Sequence, residues 1–217
     1  MSWHGIVPGS IVSQTVSFSR NDRYHYFGLR GFIAPDSRFL SGGIFSSTHF
    51  AMDVSELYLD GNMKITCIDP KIERMLEKMD AYPYGKLQVF PTMVQDVPLS
   101  RFDELKAGDI LFIDSSHVVK AGGDVVFVIF QIFPRLASGV IIHFHDIFYP
   151  FCYPKEWIKL GMPYTEAYLL HAFLSYNAAY EMIFFEDMML HQETPEAKAF
   201  RNMMGGWNKG SLWLRKI

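Results

Sequence analysis

The sequence predicts an α/β fold built on one doubly wound sheet, and three observations lead there. Apolar strand-like runs alternate with helix-like segments from Arg38 to the end of the chain, the pattern of a sheet with helices packed on it. The runs Asp109–Asp114 and Val140–Phe144 are apolar on both alternating faces, as buried parallel strands are. Between them Asp124–Leu136 is long enough for a helix, and strand, helix, strand implies a parallel pair with a right-handed crossover. The strands Met63–Asp69, Asp109–Asp114 and Val140–Phe144 are expected to be parallel neighbours.

Taken in order, residues 1–37 read as an N-terminal extension or lid packed on the core. Gly, Pro and Ser punctuate its start, and the aromatic patch RNDRYHYFGLRGF argues against a disordered tail. Residues 38–217 read as the α/β domain. Arg38–Leu40 is a first strand, followed by the small-residue loop Ser41–Thr48 and a helix over His49–Leu59. Met63–Asp69 is a β-branched strand ending in an acid. Pro70 starts the next helix, which Ile72–Met79 continues. A weak strand at Leu87–Phe90 and a short helix at Leu99–Leu105 precede the central unit. Beyond it come an aromatic loop, a helix at Thr165–Tyr176, a strand at Glu181–Phe185, a helix at Pro195–Met203 and a closing strand at Ser211–Arg215.

Bulk properties narrow the function. The chain has 217 residues and is 49% hydrophobic, enough for a substantial core. Lys plus Arg total 20 against 23 Asp plus Glu, for a net charge of -3. That balance gives no drive toward nucleic acid, and no basic run supplies one. No apolar run nears the ~20 residues that cross a bilayer, so no membrane is expected as a partner. Two cysteines, Cys67 and Cys152, are too few for a disulfide framework and fit a cytoplasmic protein. The 16% aromatic content reads first as an aromatic-rich core and second as apolar pockets. Homo-oligomerisation is left open.

The candidate site lies where the two central strands end, since ligands of open α/β sheets bind beyond the carboxyl ends of strands. Asp114, Ser115, Ser116 and His117 follow one strand, and His143, His145 and Asp146 close the next. Carboxylate beside imidazole suits a divalent metal or a general base with its orienting partner. The ligands would be Asp114, His145 and Asp146, and the base His117 or His145. Asp69 could accept ribose hydroxyls or cap the turn before Pro70. Gly42 and Gly43 could let a ligand approach the backbone, or form an ordinary turn. The loop Ile147–Trp157 carries Phe148, Tyr149, Phe151, Tyr153 and Trp157, which could line an acceptor pocket or fold onto the sheet.

The segments CIDP at 67–70, VQDVP at 94–98, GDILFIDSSH at 108–117, PRLASGVIIHFHDIFYPF at 134–151 and GSLWLRK at 210–216 resemble the S-adenosylmethionine-dependent class I methyltransferases, and among them the bacterial methyltransferase family 24 domain. The resemblance runs from about Arg38 to Ile217. It implies a Rossmann-like, seven-stranded, mostly parallel sheet with its last strand antiparallel. It also implies S-adenosyl-L-methionine as cofactor, and methyl transfer to an oxygen of a small-molecule acceptor. By the same resemblance Asp69 binds the ribose, and Asp96 lies near the adenine. Asp114 faces the methionine moiety or a metal such as magnesium. His117, His145 and Asp146 border the acceptor, with Gly42 and Gly43 in the first cofactor loop. That loop reads RFLSGGIFSST where the family carries an acid and G-x-G, placing Ile44 and Phe45 where bare backbone is usual. The alternative function is therefore a methyltransferase-like module that binds a ligand or partner without catalysis.

Overall fold

Strands that are apolar on both faces can lie only in the middle of a sheet covered on both sides, and this constraint organises the chain. A computed structural model describes residues 38–42, 45–71, 87–204 and 210–217. The strands are β1 (Arg38–Gly42), β2 (Lys64–Ile68), β3 (Leu87–Phe90), β4 (Ile110–Ile113), β5 (Ile141–His145), β6 (Tyr180–Phe185) and β7 (Ser211–Lys216). They form one sheet in the order β3-β2-β1-β4-β5-β7-β6. The first five run parallel, and β7 pairs antiparallel with both β5 and β6. This is a Rossmann-like α/β fold.

The expectation that the strands ending in Asp69, Asp114 and Phe144 are neighbours holds only for the last two. β1 separates β2 from β4. Strand order reverses between β1 and β4, which puts the topological switch point beside Asp114.

Two cores cover the sheet. Strand residues Ile65, Cys67, Ile110, Phe112, Ile141 and Trp213 pack with α1 (Phe45–Tyr58) through Ala51, Met52 and Val54. Leu111, Ile113, Ile142, Phe144, Leu212 and Leu214 face the other way, onto Val128, Ile132 and Phe133 of the crossover. The expected loop Ser41–Thr48 is much shorter, because α1 already begins at Phe45. Gly43 and Ile44 lie outside the described residues, as do the expected helix over Ile72–Met79 and the whole of residues 1–37.

The crossover helix is not a regular α-helix. It opens as α2 (Asp124–Phe127), widens to a π-turn over Val128–Ile132 and tightens to a 3₁₀ turn over Phe133–Arg135. Pro134 explains the break. It has no amide hydrogen, and its ring collides with the carbonyl four residues back, so an α ladder cannot run past it. The expected helix at Leu99–Leu105 is only a 3₁₀ turn, Leu99–Arg101. Beyond β5 come α3 (Lys155–Lys159), α4 (Glu166–Ser175), α5 (Glu186–Leu190) and α6 (Pro195–Met204). No helix among the described residues is long and apolar enough to cross a membrane.

Gly139 sits where three strands meet. Its amide donates to the Lys216 carbonyl and its own carbonyl accepts from Gly108. With φ of +86°, a Cβ there would come to 2.5 Å from that of Ala107. Left-handed backbone and overpacking together predict that Gly139→Ala costs about 2–4 kcal/mol by urea denaturation; unchanged stability would contradict this turn geometry.

Candidate functional site

Beyond the carboxyl ends of β2 and β4 lies a cavity of about 630 Å³, within the range of small-molecule sites. Asp69 and Pro70 line one side, Met93, Val94 and Gln95 another, and Asp114, Ser115 and Ser116 a third. Gly122, Gly123 and Asp124 close it. Asp69 Oδ1 accepts the Lys71 amide at 2.7 Å, so the acid holds its own turn and still borders the cavity. Gly42 and Asp96 are not among the described residues that line it. Asp96 turns aside because its Oδ2 accepts the Thr92 hydroxyl at 3.3 Å, and its neighbour Gln95 reaches the wall instead, its Nε2 donating to the Gly122 carbonyl at 2.9 Å.

Asp114 also belongs to a second group. His117 Nε2 stands 3.3 Å from Asp114 Oδ1 and 3.8 Å from Asp146 Oδ2. His145 Nδ1 stands 3.7 Å from Asp114 Oδ1 and 3.2 Å from Asp146 Oδ1. The four side chains close a ring of alternating carboxylate and imidazole. Both His117 and Asp146 have φ of +56°, a left-handed backbone that non-glycine residues seldom adopt and that concentrates at functional sites.

The partner that the sequence hid is Glu166, the first residue of α4. It is 1% exposed. One oxygen meets His117 Nδ1 at 2.8 Å and the other accepts the Ser115 hydroxyl at 2.9 Å. The backbone repeats the tie: the amides of Thr165 and Glu166 both donate to the His117 carbonyl, and Val119 N donates to Thr165 Oγ1. On the other flank Asp124 accepts both the amide and the hydroxyl of Ser116 at 2.6 Å. The turn after β4 is thus fixed from both sides.

Electrostatics follows from this enclosure. Burial by itself would lower the pKa of His117, but hydrogen bonds to Asp114 and Glu166 and their charges outweigh it, raising it to about 10. His145 moves the same way: burial lowers it, and Asp146 and Asp114 more than offset that. Burial pushes the Glu166 carboxyl up, opposed by His117 and Ser115; the proton between them stays on the imidazole, because Asp114 faces the ring too. His117 is therefore held toward its imidazolium form at neutral pH.

His143 was grouped with this cluster but sits one pleat deeper. Its Nε2 is 2.8 Å from Ser211 Oγ and its ring stacks on Trp213 at 3.9 Å. It shares a face with His145 but lies in the core. Of the aromatic loop, Phe148, Phe151 and Tyr153 are buried and Tyr149 is exposed. The Tyr153 hydroxyl oxygen accepts the Ala167 amide at 3.2 Å, and Tyr153 packs edge-on against Tyr164, whose ring lies 4.9 Å from that of His117. These rings fold onto the core and wall the cluster.

Residues 45–147, just under half of the chain, match the family model described as "Methyltransferase domain". The match runs from the first residue of α1 past Asp146, so four of the five clustered acids and histidines lie inside it. Over this stretch the chain is similar to the methyltransferase family 24 domain, in line with the resemblance that its sequence motifs carry. No curated protein matches the sequence. Among solved structures, the chain is similar to YjhP from E. coli, at 12% identity, TM-score 0.48, over 92% of this chain and 90% of that one. It is similar to a coclaurine N-methyltransferase bound to N-methylheliamine and SAH, at 10% identity, TM-score 0.46, over 87% and 71%. It is also similar to a variant 16S rRNA (adenine(1408)-N(1))-methyltransferase from Catenulisporales acidiphilia, at 12% identity, TM-score 0.44, over 94% and 95%.

The raised His117 pKa has a definite sign. The folded value exceeds the ordinary ~6.5, so the proton favours folding fully below about pH 6.5 and the gain disappears as pH rises toward about 10. In chelator-treated protein, NMR titration should find the His117 ring still protonated at pH 8; titration near pH 6.5 would contradict the enclosure.

Proposed function

We propose that the chain transfers a methyl group from S-adenosyl-L-methionine to a hydroxyl oxygen of a small-molecule acceptor. The observation that carries this reading is that Asp114 is shared: it lines the cavity beyond β2 and β4 and also faces the acid–imidazole ring. Cofactor and acceptor would then meet across one carboxylate. Asp69 supports the seat, since an acid ending β2 can accept both ribose hydroxyls. Met93 and Val94 offer an apolar wall for the adenine, in the role expected of Asp96.

The reaction is an in-line displacement at the sulfonium methyl, so the protein's work is positioning and proton removal. The His145–Asp146 pair is the more open end of the ring, with side chains 20% and 22% exposed against 7% for His117. Asp146 of that pair takes the acceptor's proton, while His117 and Glu166 hold the pair's surroundings fixed. Asp114, His145 and Asp146 are the expected ligands of a divalent ion, and Asp114, His117 and His145 stand close enough together to hold one; such an ion would lower the hydroxyl's pKa and fix its direction. The buried ring of Tyr153 and the half-buried ring of Tyr164 cover the His117 side of the cluster.

The test is calorimetric titration of S-adenosylhomocysteine into the protein. Micromolar binding that Asp69→Ala weakens by about 10–100-fold, the value of a charged hydrogen bond, is expected. No binding in the native protein, with binding restored by Ile44→Gly, would assign the chain to the non-catalytic alternative.

A further inference from the structure

The separations around the ring suit one shared metal ion. Ligand atoms about 2.1 Å from one metal ion stand about 3.0 Å apart at adjacent octahedral corners and about 3.4 Å apart in a tetrahedron. The four carboxylate–imidazole edges measure 3.3, 3.7, 3.2 and 3.8 Å. Oδ1 of Asp114, a ring nitrogen of His117 and one of His145 also lie within 4.8 Å of one another. A single ion can therefore touch Asp114, His117 and His145 with little movement, with Asp146 beside it. We propose that Asp114, His117 and His145 hold one first-row transition-metal ion, with Glu166 as the positioning residue that orients His117 toward it.

Two features argue for this class of ion. Two of the three donors are imidazole nitrogens, which suit zinc, iron, cobalt and nickel; magnesium takes oxygen ligands and keeps its waters. On this reading a transition metal takes the place expected of magnesium. The other feature is Glu166. A histidine that binds metal through one nitrogen characteristically donates the other N–H to a carboxylate, which fixes tautomer and ring direction. Glu166 Oε2 at 2.8 Å from His117 Nδ1 is that arrangement, and it turns Nε2 toward Asp114 and Asp146. The Ser115 hydroxyl holds the other Glu166 oxygen, so the carboxylate cannot rotate away. A buried acid engaged on both oxygens has no evident purpose in a turn that the backbone bonds of Thr165 and Glu166 already anchor.

The inference deepens the acceptor end of the proposed reaction, yet it is tested apart from it, without cofactor. Chelator-stripped full-length protein is titrated with CoCl2 and with MgCl2, following calorimetry and the cobalt d–d absorption. One cobalt per chain is expected, with magnesium at least 100-fold weaker. His117→Ala should abolish cobalt binding, and Glu166→Gln should weaken it by about 10–100-fold. Should either variant fail to fold by circular dichroism, pulsed EPR of Mn2+ bound to the native protein decides, since imidazole nitrogen coupling must be seen. Magnesium binding as tightly as cobalt, cobalt affinity unchanged in a folded His117→Ala, or no nitrogen coupling would overturn the assignment. S-adenosylhomocysteine binding with no cobalt binding would sink this inference alone; the reverse would sink the methyl-transfer reading alone.

Discussion

Three carboxylates and two imidazoles enclosed at the end of β4 and β5 need a positive charge, and much of the site follows from that need. Asp114, Asp146 and Glu166 face the two histidine rings over distances of 2.8 to 3.8 Å. Burying such charges without compensation is prohibitive. In the protein alone a proton on His117 supplies the charge; an ion held by the same atoms would supply more of it. The Glu166–His117 contact lets either occupant be held, because it joins the first turn of α4 to the turn after β4 and leaves one imidazole nitrogen facing inward.

The sheet places this cluster next to the cavity. β4 is the strand at which the order reverses, and its last acid serves both compartments. Asp124, at the start of the crossover helix, holds the Ser116 end of the same turn, so helix and strand together set where Asp114 points. Across the sheet, α1 packs on the face made by Cys67, Phe112 and Trp213 and keeps β2 and β4 rigid. Tyr164 lies against His117 from the remaining side, backed by Tyr153 of the aromatic loop after β5.

Much of this was legible in the sequence, and the failures have physical reasons. Apolar runs ending in polar clusters located β4, β5, Asp114, His145 and Asp146, because a buried parallel strand leaves little choice of residue. β1 between β2 and β4 was not legible, since strand order is a tertiary matter. Glu166 was not singled out, because its partner lies 49 residues earlier and no local pattern joins the two. His143 looked equivalent to His145, being two residues away on the same face, and only the stacked Trp213 of a distant strand sets it apart. The helices α3 and α5, five residues each, are too short for periodicity to register. Asp124–Leu136 read as a single helix, and the π-turn and 3₁₀ turn around Pro134 were not read from it.

The central claim is that cavity and cluster form one site joined at Asp114. A crystal structure of the protein with S-adenosylhomocysteine tests it most directly. The account predicts the ligand in the cavity between Asp69 and Asp114, its ribose at Asp69 and its sulfur toward the His145–Asp146 end. Ligand density elsewhere, or with the sulfur turned away from Asp114, would contradict it.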